Sequence, residues 1–121
     1  MITMTQILHK HPPALSIRAG KLARQLIQSE GLQAEQVDIV PGAAGGPKGI
    51  GTQGLDQAIF GEFFARAPQR RTLIGSSIGS WRFASILAHG AKAGTERLGE
   101  LYTNLYFDTK MQRQEVSNIW R

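Results

Sequence analysis

The sequence has no cysteine among its 121 residues. Disulfides, thiolate zinc sites and cysteine nucleophiles are therefore excluded. No apolar run approaches the roughly 20 residues that a membrane-spanning helix needs. The first residues, MITMTQILHKHPP, also lack the unbroken apolar core of a signal peptide. These absences lead us to expect a soluble chain in the cytoplasm.

Acidic residues are also scarce: the sequence has 9 Asp and Glu residues and 14 Lys and Arg residues, which gives a formal net charge of +5. This balance favours anionic partners, such as an anionic membrane surface. Only Arg70 and Arg71 are adjacent, and no basic stripe is interleaved with aromatic residues. We therefore expect no nucleic-acid partner. The alternative, that the cations only solvate helix faces, is equally open.

The hydrophobic pattern predicts one small domain covering residues 1–121. The expected order is helix 14–30, strand 37–40, glycine-rich loop 42–54, helix 55–66, strand 71–75, helix 79–89 and helix 95–107. Strands that alternate with helices are typical of an α/β fold with a parallel sheet. Two strands would leave unpaired sheet edges. We therefore expect the N-terminal portion of a larger domain, or a piece that associates with a partner.

A pentapeptide between the second strand and the following helix has the pattern G-x-S-x-G: Gly75-Ser76-Ser77-Ile78-Gly79. In a nucleophile elbow, a strand turns sharply into a helix and the central serine adopts a strained backbone conformation. The serine hydroxyl then stands at a helix N-terminus, where developing negative charge is favoured. Ser77 is therefore the candidate nucleophile. The alternative is a glycine-rich turn in which Ser77 caps the helix.

The first strand leads into a second glycine-rich segment, Ala44-Gly45-Gly46-Pro47-Lys48-Gly49. A loop with so few side chains allows backbone N–H groups to converge on an anion. In acyl transfer that anion is the oxygen of the tetrahedral intermediate. The segment is the candidate oxyanion loop, and a turn that only permits close packing is the alternative.

The two motifs, in this order and with Gly75 placed 30 positions after Gly45, resemble the patatin-like phospholipases over residues 37–90. The resemblance implies a three-layer α/β/α fold with a mainly parallel sheet. It also implies hydrolysis of acyl esters, typically in lipids, by a Ser–Asp dyad that needs no cofactor. By position, it assigns the role of nucleophile to Ser77. It assigns the oxyanion hole to Gly45, Gly46, Lys48, Gly49 and Ile78. Ala44 departs from the family, which usually has a third glycine there.

The resemblance also requires an Asp-Gly motif far downstream of the serine, and the sequence has none. None of the three aspartates precedes a glycine: Asp38, Asp56 and Asp108. We interpret them as structural or surface residues. The three histidines, His9, His11 and His89, are poorly placed to serve as a base. Because serine is a weak nucleophile without a base, we expect this chain alone to be inactive, either as a fragment of a hydrolase or as a remnant.

Two other classes of function remain open. A nucleotide-binding domain of the short-chain dehydrogenase type is suggested by the G-x-G-x-x-G letters at 49–54 and by the Tyr106–Lys110 spacing. However, Gly49 lies nine residues after the first strand instead of directly after it. A non-catalytic, homo-oligomerising module is the other alternative, because a short chain exposes apolar surface. A metal site is not expected from three histidines without ligand spacing.

Overall fold

The computed structural model describes residues 13–106 and 110–119 and divides the chain into two compact units, 1–33 and 34–121. The described part of the first unit contains helix α1, Lys21–Glu30. It ends at Gly31, whose amide donates to the carbonyl of Ile27 at 2.9 Å. The predicted start at residue 14 is wrong. Gly20 is the N-cap instead, since a glycine inside a helix costs about 1 kcal/mol relative to alanine.

The second unit contains a parallel pair of strands, β1 (Ile39–Gly42) and β2 (Thr72–Gly75). The register pairs Ile39 with Thr72 at one end and Gly42 with Gly75 at the other. This pair confirms the mixed α/β class and the parallel sheet. The first strand begins and ends two residues later than predicted and includes Pro41, a residue found on edge strands because it donates no hydrogen bond.

Between the strands, the chain forms a 3₁₀ segment at Gly46–Thr52 and helix α2 at Gln53–Ala58. A π-helical turn at Ile59–Phe63 and a 3₁₀ turn at Phe64–Arg66 complete the crossover. After β2 come α3 (Ile78–His89), α4 (Ala91–Thr103) and the unpredicted α5 (Arg113–Ile119). A helical crossover between parallel strands is the arrangement that the alternating pattern predicts.

The core of the second unit lies where α3 packs against the strands and the crossover. Its buried apolar residues include Phe64, Ile78, Phe83, Ile86 and Leu98. The rings of Phe60 and Phe83 lie 5.8 Å apart between centroids. In contrast, Ile39 and Ile74 are 59% and 57% exposed. Within the described residues, the helices therefore leave these two strand side chains uncovered.

Arg71 joins the segments that lead into the two strands. Its Nε donates to the carbonyl of Val37 at 2.9 Å, and its Nη2 donates to the carbonyls of Ala34 and Ala67 at 2.8 and 3.0 Å. The guanidinium also lies 4.2 Å from the centroid of the Phe64 ring. A cation with several hydrogen bonds and an aromatic neighbour is well compensated for partial burial.

None of the helices in the described ranges combines the length and the apolar character that crossing a bilayer requires.

Candidate functional site

The glycine loop and the elbow leave the sheet at the same edge. The final residues of the two strands, Gly42 and Gly75, are partners in the parallel register. The loop begins just after Gly42, and the elbow is formed by the residues that follow Gly75. In open α/β sheets, ligands bind outside this carboxyl edge of the strands. The structure therefore brings the two predicted segments to the edge where a site is expected.

Ser77 has the backbone conformation of an elbow, with φ 51° and ψ −122°. It is the one non-glycine residue with positive φ in ranges 13–106 and 110–119. Such a conformation costs on the order of 1–3 kcal/mol and persists where the surroundings enforce it. Ser77 is exposed, and its side chain makes no capping hydrogen bond to α3. Helix capping therefore does not account for this serine.

The two glycines of the pentapeptide allow the elbow to press directly on neighbouring backbone. A Cβ on Gly79 would lie 2.6 Å from the carbonyl carbon of Gly42 and 3.0 Å from the oxygen of Ala43. A Cβ on Gly75 would lie 2.5 Å from the Cα of Ser80. Side chains are not accommodated at these distances. Gly79 is thus required by packing against the end of β1, and Gly75 is required by packing against Ser80 in the first turn of α3.

The glycine loop contacts Ile78, the residue that follows Ser77. A Cβ on Gly49 would lie 2.8 Å from both Cγ1 and Cγ2 of Ile78, which is buried. The hydroxyl of Thr52 donates to the carbonyl of Gly49 at 2.8 Å and closes this turn of the 3₁₀ segment. Two of the predicted oxyanion residues, Gly49 and Ile78, are therefore neighbours in space.

The backbone amides of the predicted oxyanion hole differ in whether they already donate a hydrogen bond within the chain. Gly46 and Ile78 are the first residues of helical segments, a position without an intrahelical acceptor for its N–H group. Gly45 precedes the 3₁₀ segment as its N-cap. The amide of Lys48, in contrast, donates to the carbonyl of Gly45 at 3.3 Å. The amides of Gly45, Gly46 and Ile78 thus have no intrahelical acceptor, and all five residues remain predictions as oxyanion donors.

An ion pair that the sequence did not predict lies beside the glycine loop. Asp56 of α2 is only 3% exposed, and its Oδ2 and Oδ1 accept hydrogen bonds from Nε and Nη2 of Arg82 at 2.7 and 2.5 Å. The hydrogen bonds to Asp56 raise the pKa of Arg82 above its ordinary value, against the opposing effect of desolvation. One feature of the sequence could have indicated this ion pair. Apart from His89 at its end, Arg82 is the only basic residue in the largely apolar sequence of α3.

The described candidates for a base are engaged elsewhere or distant. Asp56 has both carboxylate oxygens bound by Arg82. Asp38 precedes β1, at the opposite end of the strands, and accepts a hydrogen bond from Gln69 at 3.2 Å. His89 ends α3, about 17 Å along the helix from its first residue. The remaining candidates lie outside the described residues: His9, His11 and Asp108.

Residues 13–106 and 110–119 contain no group of three or more His, Asp or Glu side chains that could hold a metal ion. No protein-family model, curated protein or solved structure matches this chain. An assignment of function therefore depends on the geometry of the elbow and of the glycine loop.

Proposed function

We propose that this chain carries the nucleophile and the oxyanion loop of a serine acyl-ester hydrolase of the patatin-like phospholipase type. The observation that carries the proposal is the strained backbone conformation of Ser77, which lies between β2 and α3. The Ser77 side chain makes no capping hydrogen bond to the helix. The glycine loop that emerges beside it supports the same reaction. In this proposal, β1 and β2 are part of the sheet of a three-layer α/β/α domain.

In the proposed reaction, the Oγ atom of Ser77 attacks the carbonyl carbon of an ester. The carbonyl oxygen becomes an oxyanion, which accepts hydrogen bonds from the amides of Gly45, Gly46 and Ile78. Each such donor contributes roughly 3–4 kcal/mol to stabilisation of the transition state. The alcohol then leaves with a proton, and water hydrolyses the acyl-serine to release a carboxylic acid and regenerate the hydroxyl.

The hydroxyl proton of Ser77 requires an acceptor, which the resemblance assigns to an aspartate in an Asp-Gly motif. Neither Asp38 nor Asp56 is placed for that role, because one lies beyond the far end of β1 and the other is bound by Arg82. Without a base, serine is a weak nucleophile. We therefore expect this chain alone to react with activated reagents at Ser77 but to hydrolyse ordinary esters poorly.

A fluorophosphonate probe, followed by mass spectrometry of the labelled peptide, tests the proposal. We expect slow phosphonylation that is confined to Ser77, is abolished by Ser77→Ala, and persists in the matched control Ser76→Ala. Absence of labelling during long exposure of the folded protein, or equal labelling of Ser76 and Ser77, would contradict the proposed nucleophile. Robust ester turnover by this chain alone would contradict the expectation that a base is missing.

The proposed substrate class is a lipid or another acyl ester, presented at an anionic surface. The net charge of +5 supports such a surface as partner. Binding to vesicles that contain anionic phospholipid should weaken steeply as salt rises, because screening shortens the range of the attraction. Binding that is insensitive to salt, or equally strong on neutral vesicles, would contradict the proposal that electrostatic attraction brings the protein to a membrane.

The exposed side chains of Ile39 and Ile74 favour a second candidate, a module that associates with a second copy of the chain. Light scattering coupled to size-exclusion chromatography distinguishes the two candidates. A dimer that forms without any labelling at Ser77 would favour the module, and a labelled monomer would favour the hydrolase.

A further inference from the structure

We propose that Asp56 and Arg82 are a positioning pair, which holds the glycine loop against the nucleophile elbow. The inference rests on the proposed function of these two segments. It adds two residues that neither the motif pattern nor the resemblance assigns. Neither side chain is proposed to touch substrate, since both act through the backbone segments to which they are attached.

Each member of the pair belongs to a helix that continues directly from one of the two segments. Helix α2 follows the 3₁₀ segment Gly46–Thr52 without a break, and it carries Asp56. Helix α3 begins at Ile78, just after the nucleophile, and Arg82 follows one helical turn later. A bond between the two side chains therefore fixes the loop and the elbow relative to one another.

The geometry of the pair suits this task. Two parallel N–H···O bonds from a planar guanidinium to a carboxylate define both a separation and an orientation. The side chains of Arg82 and Asp56 are 15% and 4% exposed. Desolvation offsets much of the attraction in a buried pair, and apolar replacements are often equally stable. Its specific contribution here is therefore a defined geometry.

A closed path of contacts links the pair to the site. Gly49, Asp56 and Arg82 line one small cavity of about 10 Å³. Gly49 also packs against Ile78, and Ile78 lies one helical turn before Arg82. The path thus runs from the loop to the elbow through the contact between Gly49 and the side chain of Ile78. It returns from α3 to α2 through the ion pair. Displacement of either helix would open the contact between Gly49 and Ile78.

Two variants test the inference. Arg82→Lys keeps the charge but loses the two-pronged bond. The double variant Asp56→Leu/Arg82→Met removes both charges while retaining side-chain volume, so it is expected to fold. The matched control is Arg71→Lys, because Arg71 is another partly buried arginine with three hydrogen bonds, but it lies at the opposite end of the strands.

The first measurement is hydrogen exchange at two amides that close the loop and the elbow. In the structure, Lys48 donates to the carbonyl of Gly45, and Ser80 donates to the carbonyl of Ser77. We expect exchange at Lys48 and Ser80 to accelerate about tenfold in both test variants through local opening. In the Arg71→Lys control, these amides should keep the wild-type rates after correction for any change in global stability.

The second measurement is the rate of fluorophosphonate labelling at Ser77. We expect a loss on the order of ten- to a hundredfold in both test variants, even where the melting temperature is unchanged, because small displacements of reacting groups are costly. Unchanged exchange and labelling in the double variant, or the same losses in the control, would overturn the inference. If the wild-type protein is not labelled at all, the proposed function fails, and the exchange data alone decide whether the pair holds the two segments together.

Discussion

The amide of Ser76 donates a hydrogen bond of 2.9 Å to the carbonyl oxygen of Gly42. Ser76 is the second residue of the elbow, and Gly42 is the last residue of the strand that leads into the glycine loop. This bond extends the parallel register of the sheet by one step, so the two segments diverge only after it. The position of Ser77 is therefore defined by the backbone of both strands.

Replacement of Gly79 by alanine should destabilise the protein by about 1–3 kcal/mol or more, because the new Cβ would overlap the carbonyl group of Gly42. The matched control is Gly54→Ala in α2, where an added Cβ meets no atom within 4 Å. That change should stabilise the protein by about 0.4–1 kcal/mol. Urea unfolding of the two variants measures both values, and equal effects would contradict the tight packing of the elbow.

Replacement of Ser77 by glycine should stabilise the protein, in contrast to most losses of a side chain. The conformation at φ 51° and ψ −122° strains any residue with a Cβ by roughly 1–3 kcal/mol. The added chain entropy of glycine offsets up to about 1 kcal/mol of the relief. The variant Ser77→Ala keeps the strain and serves as the control. A lower melting temperature for Ser77→Gly than for Ser77→Ala would refute the strained elbow.

Replacement of Arg71 by methionine should destabilise the protein by about 1–3 kcal/mol without altering the reactivity of Ser77. The carbonyl groups of Ala34, Val37 and Ala67 would lose their donor in a partly buried setting. Chemical denaturation gives the loss of stability, and the labelling rate at Ser77 gives the reactivity. A marked fall in labelling under folded conditions would show that the two ends of the strands are coupled.

The contribution of the Arg82 charge to stability should be constant across neutral pH. Its hydrogen bonds to Asp56 raise the pKa of Arg82. A group with a raised pKa contributes its full stabilisation below its unfolded-state pKa and loses it only as the pH rises through the folded-state value. For arginine, both values lie far above neutral pH. The difference in unfolding free energy between wild type and the double variant Asp56→Leu/Arg82→Met should therefore be flat from about pH 6 to pH 9. A steep change in that window would contradict the assignment.

The sequence predicted the sharp turn between β2 and α3 because the requirements of that turn are local. Gly75 and Gly79 are adjacent to the turn that excludes their side chains, so a short pattern contains the whole constraint. The parallel pairing of two strands around a helical crossover was likewise predictable from the order of the elements. Whether the pair belongs to a three-layer fold stays a prediction.

Requirements that depend on tertiary contact were not predictable. The helix predicted to begin at residue 95 begins at Ala91 instead. The hydroxyl of Thr95 therefore lies inside α4 and donates to the carbonyl of Ala91 at 2.8 Å. The same oxygen accepts a hydrogen bond from Gln57 of α2 at 2.9 Å. Gly94 stays within the helix because α4 passes directly over the carbonyl of Ser85. The pairing of Asp56 with Arg82 is of the same kind, since 26 residues separate them.

The strained serine between two side-chain-free positions has a consequence for sequence variation. In a library of variants selected for stability alone, glycine should persist at positions 75 and 79 and should also replace serine at 77. Selection for chemistry should return serine to that position, against the thermodynamic preference. Under the proposed function, the ratio of serine to glycine at position 77 in the two selections would measure how strongly catalysis, as opposed to folding, maintains this residue.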